Sequence, residues 1–149
     1  MTQLHRETVE KHYKKVWGQV RRIAETLIDE GDILQFGSAE HLVIAGTART
    51  TVPMGVALNT VTTLQIAAYA ADSSIIAPVE VDVQVAGFAV LLAGAAVTIG
   101  QFIVSDANAR GVPATGDGGD EIVGKAYKTA AANGDEFHIL INLIPSHAH

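Results

Sequence analysis

The sequence contains no cysteine. A disulfide framework and a thiolate metal site are both excluded, so stability must come from packing, hydrogen bonding or association. Aromatic residues are scarce, with one Trp, three Tyr and four Phe in 149 residues. That is too few for a sugar-stacking platform. Charge is also sparse, at 17% Asp, Glu, Lys and Arg. What charge there is divides unevenly: residues 1–30 carry six Lys/Arg against five Asp/Glu, and the remainder carries four against eleven. An acidic body with few cations is a poor ligand for nucleic acid, because phosphate contacts need clustered Lys and Arg. The one basic cluster, Lys11, Lys14, Lys15, Arg21 and Arg22, reads as a solvated helix face.

No charged residue occurs between Asp82 and Asp106, a span long enough to cross a bilayer. A membrane role is nevertheless not expected. Gln84, Gln101, Thr98 and three glycines interrupt the span, and no Lys or Arg anchors its flanks. It also continues, in phase, an alternating strand in which Val79, Val81, Val83 and Val85 point one way and Glu80, Asp82 and Gln84 the other. The first 30 residues lack the apolar core of a signal peptide.

The length fits one folded unit, and two kinds of pattern divide it. Over residues 3–30, apolar residues at Val9, Tyr13, Val16, Trp17, Val20, Ile23, Ala24, Leu27 and Ile28 form one stripe at spacings of three and four. This predicts an amphipathic helix closed by Gly31. Gly18 inside the stripe marks a bend or a close approach. From Gly31 onward, short β-branched runs alternate with turn residues, which predicts a small β-barrel or sandwich. The expected organisation is therefore a helical segment, 1–30, and a β body, 31–149. Within the body, TLQIAAYAAD suits a short helix, and GDGGDE and AANGDE read as loops. VTIGQFIVSDANARGVPA, Val97 to Ala114, reads as strand, turn, strand, with Gly111 expected to supply the unusual backbone dihedral at the tip.

Chemistry is hard to find. His5 and His12 share a helix face, but two ligands rarely hold zinc. His138 reads as an outward strand residue, and His147 and His149 end the chain. Asp106, Asn108, Gly111 and Asp117 match calcium-loop spacing, but Arg110 stands where an oxygen ligand belongs. None of the five serines has a local base beside it, and there is no GxSxG. Asp120 with Glu121, and Asp135 with Glu136, sit in Gly-rich tips expected to solvate them. No catalytic, metal or cofactor-binding residue is assigned. Tyr13, Trp17, Val20 and Arg21 on the first segment are the candidate interface residues, Trp being enriched where proteins meet.

Ala93–Ala114 and Glu121–Leu143 together resemble the phage capsid cement, or decoration, proteins. The resemblance is carried by Val97, Gly100, Ser105, Asp106, Val112, Pro113, Ala114, Ile122, Val123, Gly124, Ala126, Gly134 and Asp135. Residues 40–95 agree only in general character, and the N-terminal segment departs from relatives that begin directly at strands. The resemblance implies a small β domain that binds the outer surface of an icosahedral phage head, often as a homotrimer, and stabilises it. The implied partners are the major capsid protein and other copies of the chain, with no cofactor, no catalysis, no nucleic acid and no membrane. The implied location is the exterior of the virion, after synthesis in the host cytoplasm. The alternatives are another virion component, such as a head–tail connector or tail protein, and a small ligand-binding or enzymatic β-barrel.

Overall fold

The computed structural model describes residues 18–116 and 118–143. Among these residues ten strands form two sheets. The first contains β1 (Gln19–Ala24), β2 (Ile33–Phe36), β3 (Leu42–Ala45), β4 (Gly55–Ala57) and β5 (Glu80–Gln84), and it closes into a barrel in the order β1-β3-β2-β4-β5. Closure comes from the antiparallel pairing of β5 with β1, from Gln19 opposite Gln84 to Ile23 opposite Glu80. The β1–β3 pair is parallel. The second sheet contains β6 (Phe88–Leu92), β7 (Phe102–Ser105), β8 (Gly111–Pro113), β9 (Gly124–Ala126) and β10 (Glu136–Ile141), in the order β6-β10-β9-β7-β8. Its two edges meet at one end, where Ala93 bridges Gly111 and the Gly94 N–H donates to the Gly111 carbonyl at 2.9 Å.

The alternation in β5 sets the barrel interior. Val79, Val81 and Val83 are fully buried and pack with Ile28, Leu34, Val43 and Val61. Glu80 and Asp82 face outward, as the pattern predicted. Gln84 does not: it is buried, and its amide donates to the Ala86 and Phe88 carbonyls, which joins the barrel to the start of the second sheet. The second core gathers Leu91, Ile103, Val123, Phe137 and Ile139, and it also takes Ile33 and Val56 from barrel strands. The two sheets therefore share side chains at their junction. A short helix, α1 (Thr63–Ala71), forms in the segment whose sequence suits one. Its start is fixed by a capping box, with the Thr62 hydroxyl accepting from the Gln65 N–H and the Gln65 side chain accepting from the Thr62 N–H.

The mainly β architecture matches expectation, but the helix over residues 3–30 does not extend through residues 18–30. Gln19–Ala24 is a strand built into the barrel, so the β body begins before residue 31. Val20 and Ala24 suit one face of a strand as well as a helix stripe, and pairing with β5 from Gln19 to Ile23, joined by β3 at Ile23 and Ala24, decides for the strand. Gly31 has φ +91° but serves a turn rather than a helix end. Gly18 marks a close approach: a Cβ there would lie 3.0 Å from the Ala86 carbonyl oxygen. Tyr13 and Trp17 lie outside the described residues. No helix among the described residues is long and apolar enough to cross a membrane.

Candidate functional site

The hairpin of β7 and β8 is formed as the sequence predicted, with Ser105 opposite Gly111. At its tip one Asp106 carboxylate oxygen accepts from the Asn108 N–H at 2.8 Å and from the Arg110 N–H at 2.9 Å. These bonds hold the turn in shape. Among the described residues no group of three or more His, Asp or Glu stands where it could hold a metal ion. The left-handed residue of the turn is Ala109, φ +63°, and not Gly111 as expected. Gly111 is needed for space: a Cβ there would be 2.6 Å from the Phe137 ring and 3.0 Å from Ile103.

The hairpin tip docks against the barrel. The Ile33 N–H donates to the Ala109 carbonyl at 2.9 Å. Beside this contact a hollow of about 560 Å³ is lined by Thr26, Asp29, Asp32, Thr47, Asn108 and Arg110. Asp32 is half-buried there, and its carboxylate accepts from the Asp29 N–H at 2.9 Å. Burial pushes its pKa up to about 6 from the usual 3.8, against the opposing effect of that hydrogen bond. A carboxyl whose pKa is raised by folding stabilises the fold while protonated. That contribution is fully present below about pH 4 and is lost as the pH rises through about 6. Asp32→Asn keeps an acceptor for the Asp29 N–H and removes the charge. It is expected to raise stability at pH 7.5 by about 1 kcal/mol, discounted for partial exposure, and to have little effect at pH 4. Urea unfolding at the two pH values checks this.

The carboxylates of the two Gly-rich loops, Asp120 between β8 and β9 and Asp135 between β9 and β10, differ from each other. Asp120 is not solvated as expected but is 4% exposed. It pairs with Arg49 from the β3–β4 loop and accepts from the Thr115 and Gly116 N–H groups. Burial alone would raise its pKa, but the Thr115 N–H, Arg49 and the Gly116 N–H together hold it below the ordinary value. Asp135, by contrast, organises its own turn by accepting from the Ala131 and Ala132 N–H groups. Both acids are structural in their contacts.

Several large apolar side chains are exposed. Leu64 on α1 is 82% exposed, and Ile75 and Ile76 follow it on the same excursion from the barrel. From Thr60 through Ala71 this lobe has no charged residue. On the outer face of the second sheet, Phe88, Val90, Phe102 and Tyr127 are exposed. His138 lies exposed on that same face. Of the interface residues expected from sequence, Val20 packs against the barrel core. Arg21 is exposed but engaged, with Asp82 at 3.0 Å and Glu80 at 3.1 Å. Sequence reasoning missed the sheet face, although AGFAVLL carried a signal: residues on both faces of β6 are apolar.

These features define a small β protein of one closed barrel and one five-stranded sheet. No family model matches the chain, and no curated protein matches it. Among solved structures it is similar to the head fiber gp8.5 N base of bacteriophage phi29. The TM-score is 0.58 at 15% sequence identity, over 85% of this chain and 95% of that one. A likeness at that identity establishes a shared fold.

Proposed function

We propose that the chain is a structural protein of a phage head, acting by binding rather than by catalysis. The observation that carries this reading is the fold shared with a phage head-fiber base over most of both chains. The exposed apolar surface supports it, since a chain repeated over a shell can cover such surface with neighbours. In the finer form of the proposal, the protein is a cement or decoration protein. It binds the major capsid protein from outside, as a homotrimer, and stiffens the shell. The lobe carrying Leu64, Ile75 and Ile76, whose one charged residue between them is Asp72, is the contact region in this reading. Contacts repeated many times by symmetry retain a subunit even when each is weak. No cofactor enters the proposal.

Quantitative mass spectrometry of purified particles, counting this chain against the major shell protein, tests it. A ratio near one, or a simple fraction set by symmetry, is the expected result. A handful of copies would assign the chain to a fiber, neck or tail, keeping the virion role and overturning cement. Absence from particles would overturn the virion role itself.

A further inference from the structure

Asn133 and Gly134 form the only Asn–Gly pair in the chain. They occupy the middle of a tight turn between β9 and β10, closed by the Asp135 N–H donating to the Ala132 carbonyl at 3.2 Å. Gly134 has φ +93°, which suits the third residue of such a turn, and a Cβ there would meet nothing within 4 Å. Both residues are exposed. The turn explains the glycine. It does not explain what faces the asparagine: an Arg110 guanidinium nitrogen, from the β7–β8 hairpin, donates to the Asn133 side-chain oxygen at 2.6 Å. A guanidinium only donates, so the carbonyl oxygen and not the amide nitrogen faces it. Asparagine is a chemically labile residue. Its weak point is the side-chain carbonyl carbon, which lies within reach of the next residue's backbone nitrogen.

We propose that Asn133 is a site of spontaneous deamidation, with Arg110 activating its side-chain carbonyl and the Ala93 carbonyl gating the attack. The Gly134 nitrogen gives its proton to solvent base and bonds to Asn133 Cγ. Negative charge develops on Oδ1, where the Arg110 guanidinium already stands, and a donor placed at a developing oxyanion lowers the barrier. The Cγ–Nδ2 bond then breaks, and the nitrogen takes a proton from water and leaves as ammonia. Water opens the resulting succinimide at one of its two carbonyls, giving aspartate or isoaspartate. Glycine at 134 puts no side chain in the way of ring closure. The gate is the bond from the Gly134 N–H to the Ala93 carbonyl, 2.8 Å long, which must open before the nitrogen can attack. Because Asn133 is exposed, the gain from Arg110 is several-fold and not the roughly 100-fold or more of an enclosed oxyanion hole. The product matters to the fold. The Ala93 N–H donates to the Asp135 carbonyl at 2.8 Å, and Ala93 bridges Gly111 where the edges of the second sheet meet. Isoaspartate lengthens the main chain by a methylene inside this frame, and either product sets a carboxylate against Arg110. The inference does not depend on a virion role.

Peptide mapping by mass spectrometry, on the full-length protein held folded in mildly alkaline buffer, tests this. Conversion is expected at Asn133 ahead of Asn59, Asn108 and Asn142, with aspartate and isoaspartate both formed. Asn133→Gln would have to close a larger ring and is expected to show no conversion at this position. Arg110→Gln removes the cation and is expected to slow conversion several-fold, and Arg110→Lys is expected to recover part of the rate. The sign separates activation from a structural role. If Arg110 only held the turn in place, Arg110→Gln would loosen the gate and speed conversion. In converted protein, hydrogen exchange is expected to rise at Ala93 and Gly134. An unchanged or raised rate in Arg110→Gln would overturn the proposal, and so would an Asn133 that stays intact while the other asparagines convert. Neither result alters the copy number in particles, so this inference and the virion reading fail separately.

Discussion

Replacing Phe137 by alanine is expected to destabilise the fold by about 4 kcal/mol, near the upper part of the range for large-to-small changes in a core. Among the described residues Phe137 is the largest fully buried side chain, and it belongs to the second core. The size of the effect follows from what surrounds the ring. Gly111 leaves the space that the ring tip fills, since a Cβ there would be 2.6 Å from it, and Ile103 and Leu91 border the same space. Glycine has no side chain to swing into the cavity, and the residues on either side are held by strand pairing. The void therefore stays open, and its lining loses its contacts outright. Phe102→Ala is the control, because Phe102 is 54% exposed on the outer face; a change within about 0.5 kcal/mol is expected there. Urea unfolding followed by circular dichroism measures both. A loss below about 1 kcal/mol for Phe137→Ala would mean that the second core is not packed as described. With total stabilities of about 5–15 kcal/mol typical of such domains, the expected loss would also bring the midpoint close to working temperature.

Local signals in the sequence were read correctly where local physics decides the outcome. The alternation from Val79 to Val83 places the inner face of β5, and the Asp and Asn residues at the β7–β8 tip mark a turn whose N–H groups one carboxylate gathers. What failed was decided by distant partners. In QVRRIA the helical and strand periods both suit the apolar residues, and the choice was made by β5, opposite it from Glu80 to Gln84. The tip glycine was assigned to backbone conformation, but Gly111 answers to Phe137, which arrives from another strand. The sheet face shows the same limit. Phe88 and Val90 belong to β6, Phe102 to β7, and Tyr127 follows β9, and only the register makes them neighbours. An interaction surface of this kind has no motif. Its trace in sequence is a strand apolar on both faces, and that trace cannot say which other strands complete the patch.

Asp120 shows how far a local reading can miss, and it yields the second large effect. Its Gly-rich surroundings describe a solvated tip, yet its partner is Arg49, on the barrel side of the molecule. Asp120→Ala is expected to cost about 2 kcal/mol, because the carboxylate is buried and gathers several hydrogen bonds, whereas its partner Arg49 is 38% exposed and recovers solvation. Two further consequences identify the cause. The substitution removes the acceptor for the Thr115 and Gly116 N–H groups. It also loosens the tie between the β3–β4 loop and the second sheet, where the Glu121 N–H still donates to the Arg49 carbonyl at 3.1 Å. Hydrogen exchange is therefore expected to rise first at Thr115, Gly116 and Glu121, ahead of the barrel strands. Asp120→Asn keeps an acceptor and the shape but loses the charge, and it is expected to cost less than the alanine change. The pH dependence has the opposite sign to that of Asp32. A carboxylate held below its ordinary pKa stabilises the fold above the unfolded value near 4, and this contribution disappears as the pH falls through the lowered folded value. The wild type should thus lose stability on acidification through Asp120 while the protonation of Asp32 opposes that loss. In Asp120→Asn the first effect is gone, and acid should weaken the protein less than it weakens the wild type. An equal acid sensitivity in the two proteins would show that the Arg49–Asp120 pair does not tie the sheets together in solution.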